Sequence, residues 1–175
     1  MNKNAELIKS VIADVPDFPV KGILFRDITP LLADNRLYRL ASEMMAEPFR
    51  DRPIDYVACV ESRGFIFGGL IAEHLGAGFI PIRKKGKLPR ETVSEDYGLE
   101  YGKDTIEVHT DAFSKGKHVL IVDDLLATGG TVQAAAKLVE RAGGVVSGMT
   151  FLIELSELNG KELISEYNYA SVIKY

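Results

Sequence analysis

VLIVDDLLATGGT, Val119 to Thr131, is the stretch from which the rest of the chain can be read. It begins with four apolar residues, Val119, Leu120, Ile121 and Val122. Such a run predicts a strand buried on both faces, as in a parallel sheet. Two adjacent carboxylates follow, Asp123 and Asp124. Beyond them a short loop, Ala127-Thr128-Gly129-Gly130-Thr131, leads into an alanine-rich helical pattern. A strand, a Gly-bearing turn and a helix N-terminus together make a seat for a phosphate, because backbone N–H groups point outward there and the helix dipole favours an anion. The two carboxylates would repel a phosphate. They must face something else, such as sugar hydroxyls or a metal ion.

The chain has 175 residues, a length that suggests one domain able to bury roughly 70% of its unfolded surface. Apolar residues make up 46% and charged residues 26%, both ordinary for a globular protein. The net charge of −4 argues against wholesale nucleic-acid binding but leaves room for a local basic site. The one cysteine, Cys59, lies in the apolar run 56–60 and reads as a small buried side chain. No internal disulfide is possible, which fits a reducing compartment. MNKNAELIKS has no apolar core of the kind a signal peptide carries. No window approaches the roughly 18 apolar residues of a membrane span. The setting expected is the cytoplasm.

Taken in order, Asn4 is expected to cap a helix from about Ala5 to Ala13, closed by Pro16 and Pro19. Phe18 to Leu32, FPVKGILFRDITPLL, fits neither period. It reads either as a loop packing Phe18 and Phe25 onto the core or as a pocket wall. Asp34 should cap a helix from Asn35 to about Glu47. Tyr56–Val60 is a buried strand, Glu61-Ser62-Arg63-Gly64 a loop, Phe65 to Leu75 a helix ended by Gly76 and Gly78, and Phe79–Ile82 the next strand. That is a βαβ unit, so the sheet is at least partly parallel. Its first loop opens at the carboxyl edge of the sheet, where ligands bind. Arg63 is there either as a solvated residue or as an anion contact.

Residues 83–104 open with Arg83, Lys84, Lys85, Lys87 and Arg90 and continue acidic. Such a run is either a solvated face or, given its place, a mobile cationic loop able to cover a charged anion. Residues 88–109 read as a hairpin-like excursion with a flexible loop. None of His74, His109 and His118 has metal-ligand spacing, so all three are assigned to structure or solvent. A helix from Val132 to about Ala142, a strand within Val145–Leu155, a turn over Ser156–Gly160, a short helix near Lys161–Glu166 and an edge strand at Ala170–Lys174 complete the chain.

GxGxxG and GxxxxGK[ST] are absent. V-D-D-x-x-A-T-G-G-T after an apolar strand, however, resembles the phosphoribosyl diphosphate (PRPP) signature of the type I phosphoribosyltransferases. FPVKGILFRDITPLL, ESRGFIFG, IRKKGKLP, SEDYGLEYG and VDDLLATGGT also occur in the order found in the adenine branch of that family. The resemblance covers Phe18 to about Leu155. It implies an α/β, type I phosphoribosyltransferase fold, with a mostly parallel twisted sheet flanked by helices. It also implies a small N-terminal hood (about 1–35) on a core (about 36–175) within one domain, and a flexible catalytic loop.

The implied reaction joins adenine N9 to C1 of PRPP ribose, giving AMP and pyrophosphate in purine salvage, with Mg²⁺ bound to PRPP rather than held directly by the protein. The resemblance further implies roles for individual residues. Ala127, Thr128, Gly129, Gly130 and Thr131 would hold the 5-phosphate, and Asp123 and Asp124 the ribose hydroxyls. Glu61, Ser62, Arg63, Arg83, Lys84 and Lys87 would meet pyrophosphate, with an unusual, cis peptide in the Glu61–Arg63 loop. Leu24, Phe25 and Arg26 would line the adenine site, with Leu155 opposite. Glu100, Arg63 and Lys87 would be the catalytic set, Glu100 being either the acid/base at the imidazole edge of adenine or an ordinary exposed glutamate. A homodimer acting on small molecules, with neither nucleic acid nor membrane as partner, is expected. A 6-oxopurine preference, or a PRPP- or purine-sensing regulator on the same fold, are the other readings.

Overall fold

The structure, a computed structural model, describes residues 3–99 and 102–175. Helix α1 spans Lys3–Val11, so Asn4 lies inside the helix and does not cap it. Ala13 is not helical either. It opens strand β1, Ala13–Pro16, which pairs antiparallel with β2, Leu24–Asp27. The stretch from Phe18 is therefore only partly irregular. The Asp27 carboxylate accepts hydrogen bonds from the Thr29 N–H at 2.9 Å and the Thr29 hydroxyl at 2.7 Å, and with Pro30 in the first turn it starts α2, Thr29–Ala33. Asp34 caps α3, Asn35–Ala46, accepting from the N–H groups of Arg36 and Leu37.

Strand β3, Tyr56–Val60, leads into α4, Arg63–Leu75, which starts two residues before the expected Phe65 and ends on Gly76 at φ 63°. Next come β4, Gly78–Lys84, and the antiparallel hairpin of β5, Thr92–Leu99, and β6, Gly102–His109. Strand β7 runs His118–Leu126, past the expected Val122, so both aspartates sit within the strand. Its neighbour β8, Val145–Glu154, carries the ladder on through Asp123↔Phe151 and Leu126↔Glu154. Helix α5 spans Gly130–Arg141. In place of the helix expected near Lys161–Glu166 there is a 3-10 turn, Gly160–Ile164, and β9, Tyr169–Lys174, is an edge strand.

The seven-stranded sheet has the order β5-β6-β4-β3-β7-β8-β9. It is parallel from β4 to β9 and antiparallel at the hairpin end. Alternate residues of β7 feed two cores. Leu120 and Val122 pack with Met45, Phe49, Phe67 and Ile71. Val119 and Ile121 pack with Leu138, Val139, Phe151 and Ile164. This is the both-faces burial that the apolar run requires.

Candidate active site

From β3 the chain crosses through α4 to β4, and from β7 through α5 to β8, which lies on the other side. The two crossovers diverge, so the loops after β3 and β7 open side by side at the carboxyl edge, the switch point where sheets of this kind take ligands.

The loop after β7 is a backbone cradle. Gly129 takes φ 86° and caps α5 without a side-chain hydrogen bond, and the first intrahelical bond runs from the Gln133 N–H to the Gly129 carbonyl at 3.0 Å. The preceding N–H groups therefore lack intrahelical acceptors and face outward. Asp123, Ala127, Thr128 and Thr131 line the small recess there, of about 60 Å³. Behind it lies Gly160. A Cβ on Gly160 would come 2.2 Å from the Ala127 oxygen, and one on Gly129 would come 2.5 Å from the Gly160 oxygen.

The two acids differ. Asp124 is buried, and its Oδ2 lies 2.6 Å from Nη2 of Arg63. Asp123 is partly open, and its Oδ1 accepts the Asp124 N–H at 2.9 Å. Burial, then the charge of Asp124, push the Asp123 carboxyl well above the usual carboxylate range. Burial raises Asp124 too, but Arg63 pulls it back. Within the pair Asp123 is the more easily protonated acid, because it lacks the guanidinium partner that Asp124 has. Arg63 reaches Asp124 because α4 starts hard against β7. A Cβ on Gly64 would meet the Val122 oxygen at 2.8 Å.

Arg63 also walls an apolar pocket of about 370 Å³, formed under the β1–β2 hood with Val15, Phe18, Phe25 and Ile28. Phe18 and Phe25 meet edge to face at 5.1 Å, and the Arg63 guanidinium lies 5.1 Å from the Phe25 ring centre. The second face of Arg63 borders a polar cleft of about 270 Å³, with Glu61, Ser62, Tyr97, Asp123 and Asp124 among its walls. One guanidinium separates an apolar seat from a polar one.

Across the cleft, the Glu61–Ser62 peptide is cis, and Glu61 Oε2 is 2.6 Å from Arg83 Nε. Arg83 also donates to the Lys87 carbonyl at 3.2 Å. Lys84 pairs with Asp104 at 2.8 Å. From β5, the Tyr97 hydroxyl donates to Asp104 at 3.2 Å, and Tyr97 lines the polar cleft together with Thr131.

The phosphoribosyl transferase domain family matches residues 28–171. Adenine phosphoribosyltransferase of Caldanaerobacter subterraneus is 53% identical over 168 residues, 96% of this chain and 97% of its own length. The crystal structure of adenine phosphoribosyltransferase from Thermoanaerobacter pseudethanolicus superposes with a TM-score of 0.95 at 51% identity, covering 98% of this chain and 99% of that one. The Saccharomyces cerevisiae enzyme, crystallised with an imino-altritol bisphosphate and adenine, gives 0.93 at 36% identity over 99% of this chain and 100% of that one. The chain belongs to the adenine phosphoribosyltransferase family.

Of the residues singled out by sequence and by likeness to that family, the structure gathers Glu61, Ser62, Arg63, Asp123, Asp124, Ala127 and Thr131 around one cleft, with Thr128 and Gly129 in the recess beside it. Phe25 lines the apolar pocket. Leu24, 46% exposed, and Leu155, packed against the α3–α4 side of the core, are not among its walls. Nor is the Arg26 side chain, because Asp14 pairs with it and the Tyr175 ring lies 3.7 Å beneath it. Glu100 lies outside the described residues. Sequence reasoning missed Tyr97, Asp27, Gly160 and the Arg63–Asp124 pair. Asp27-Ile28-Thr29-Pro30 carries a helix-start signal that could have been read. Nothing local marks the other three.

Proposed function

We propose that this protein transfers the 5-phosphoribosyl group of PRPP to adenine, releasing pyrophosphate and forming AMP, as in purine salvage. The observation that carries the reading is the shared wall. An apolar, aromatic-lined pocket sized for a flat base meets, across Arg63, a polar cleft that ends in a phosphate cradle.

The 5-phosphate sits on the N–H groups at the start of α5 and the hydroxyls of Thr128 and Thr131. Asp123 and Asp124 accept the ribose hydroxyls, and their charge lies beneath the cation that develops at C1 as the bond to pyrophosphate breaks. Glu61, Ser62 and Arg63, with Arg83, Lys84 and Lys87, receive the leaving group. Adenine stacks in the pocket of Phe18 and Phe25. The resemblance also assigns Leu24, Arg26 and Leu155 to this seat; Arg26 would have to use its backbone there, since its guanidinium is engaged elsewhere.

The donor set suits Mg²⁺ that arrives on PRPP. Asp124 and Glu61 are already tied to guanidinium groups, so phosphate oxygens would be the main ligands. When bound, the ion neutralises charge on the diphosphate. A single domain and a cytoplasmic setting follow from length and composition, while the homodimer and Glu100 as acid/base rest on family resemblance alone.

The test is a base panel. With PRPP and Mg²⁺, pyrophosphate should be released with adenine and not with hypoxanthine, guanine or xanthine. Comparable turnover of a 6-oxopurine overturns the base assignment. No turnover with any base points instead to a sensor.

A further inference from the structure

Glu107 lines neither the cleft nor the pocket, yet it is a carboxylate only 5% exposed. Thr105-Ile106-Glu107-Val108-His109 alternates, with Ile106 and Val108 turned to the core. Glu107 lies on the other face, paired in register with Arg83 on β4 and Ser94 on β5. Its Oε1 accepts the Gly86 N–H at 3.0 Å and the Leu88 N–H at 3.3 Å, and its Oε2 accepts the Thr92 hydroxyl at 3.3 Å. The ion pairs among the described residues do not include it. A buried carboxylate is costly unless hydrogen-bonded, and here the turn itself supplies the hydrogen bonds.

That turn is closed by the Lys87 N–H on the Lys84 carbonyl at 3.2 Å, with Gly86 at φ 79°. Its amides are held by Glu107. Its Lys87 carbonyl is held by Arg83, which is in turn held by Glu61 at the edge of the cleft. Arg83 at the end of β4 and Lys84, Lys85 and Lys87 in the turn repel one another, and a buried carboxylate beneath them offsets that repulsion before any phosphate arrives.

We propose that Glu107 is a positioning residue for the leaving group: it fixes the backbone of the 84–88 turn so that Lys87 and Arg83 are presented to pyrophosphate. The proposal rests on the assignment of that turn to pyrophosphate made above. In the reverse reaction, Glu107→Ala should raise the KM for pyrophosphate about tenfold, because a small misplacement of charge is costly. The KM for AMP should stay within about twofold. Glu107→Gln keeps one oxygen for both amides and should recover most of the loss. Thr92→Val removes only the hydroxyl at Oε2 and should give a smaller rise of the same selectivity, which serves as the test if the alanine variant does not fold. Equal changes in both KM values, or a lowered melting temperature with neither changed, overturn the proposal. Lys87→Ala separates the two readings. If it leaves the pyrophosphate KM unmoved, the assignment of the turn fails and the proposal with it. If it raises that KM while the Glu107 and Thr92 variants do not, the assignment stands and the positioning role is overturned.

Discussion

Arg63 and Asp124 meet at 2.6 Å across the gap between α4 and β7, and this pair ties the loop after β3 to the strand that carries both aspartates. Breaking it from one side should be worse than breaking it from both. Arg63→Met leaves Asp124 buried without its counter-charge, at a cost of about 2–4 kcal/mol. Asp124→Asn added to that variant should return part of the lost stability, because no charge is then stranded. Denaturant unfolding of the two single variants and the double variant measures this. Strict additivity would mean that the pair does not couple. Asp124→Asn alone should lower turnover far more than it lowers stability.

The acids also set a pH dependence. Burial and the neighbouring charge hold Asp123 above its unfolded value. The folded chain therefore binds more protons through the window between the two values, and this contribution to stability is present below the ordinary carboxylate range and is lost as pH rises through the window. Asp123→Asn should thus raise the melting temperature at neutral pH, flatten its fall from mildly acid to neutral pH, and depress turnover. A melting profile parallel to that of the parent chain would contradict the raised value.

Gly160 should matter to phosphate binding although it lines neither the recess, the cleft nor the apolar pocket. A methyl group at this position would press on the Ala127 oxygen at 2.2 Å and the Gly129 nitrogen at 2.9 Å. Gly160→Ala should cost about 1–3 kcal/mol through overpacking and raise the KM for PRPP, leaving that for adenine nearly unchanged. Steady-state kinetics with each substrate varied in turn decides the matter, and an unaltered PRPP value would show that the cradle can yield.

Phe25 should act on the other substrate. Phe25→Ala opens the wall beneath Arg63 and removes the ring that Phe18 packs against. A lost aromatic contact is worth about 1 kcal/mol, so the KM for adenine should rise several-fold while that for PRPP changes little. A rise in both equally would place the ring in Arg63 support rather than in base binding.

The parts of this fold legible in the sequence were those whose cause is local. The run Val119–Val122 announced its two-sided burial, Asp34 its capping role, and Ala127–Thr131 the turn into a helix N-terminus. What stayed hidden depended on distant partners. Ala13–Pro16 becomes a strand only because Leu24–Asp27 returns beside it. The extension of β7 through two aspartates, residues disfavoured in strands, is carried by the ladder to β8. Arg26 has the position in sequence of a base contact, but Asp14 and Tyr175 hold its side chain. Glu107 falls on the polar face of an alternating strand, and no periodicity reveals that the 84–88 turn folds over it.

The back-to-back glycines have a mechanical consequence. The loop before α5 rests backbone against backbone on the 160 turn, and Gln133 braces that turn by donating to the Leu163 carbonyl at 3.2 Å. With no side chain at either glycine, the contact offers nothing to trim or repack, so this wall of the recess is set by backbone geometry. A side chain at 129 or 160 would have to push the two turns apart before it could fit.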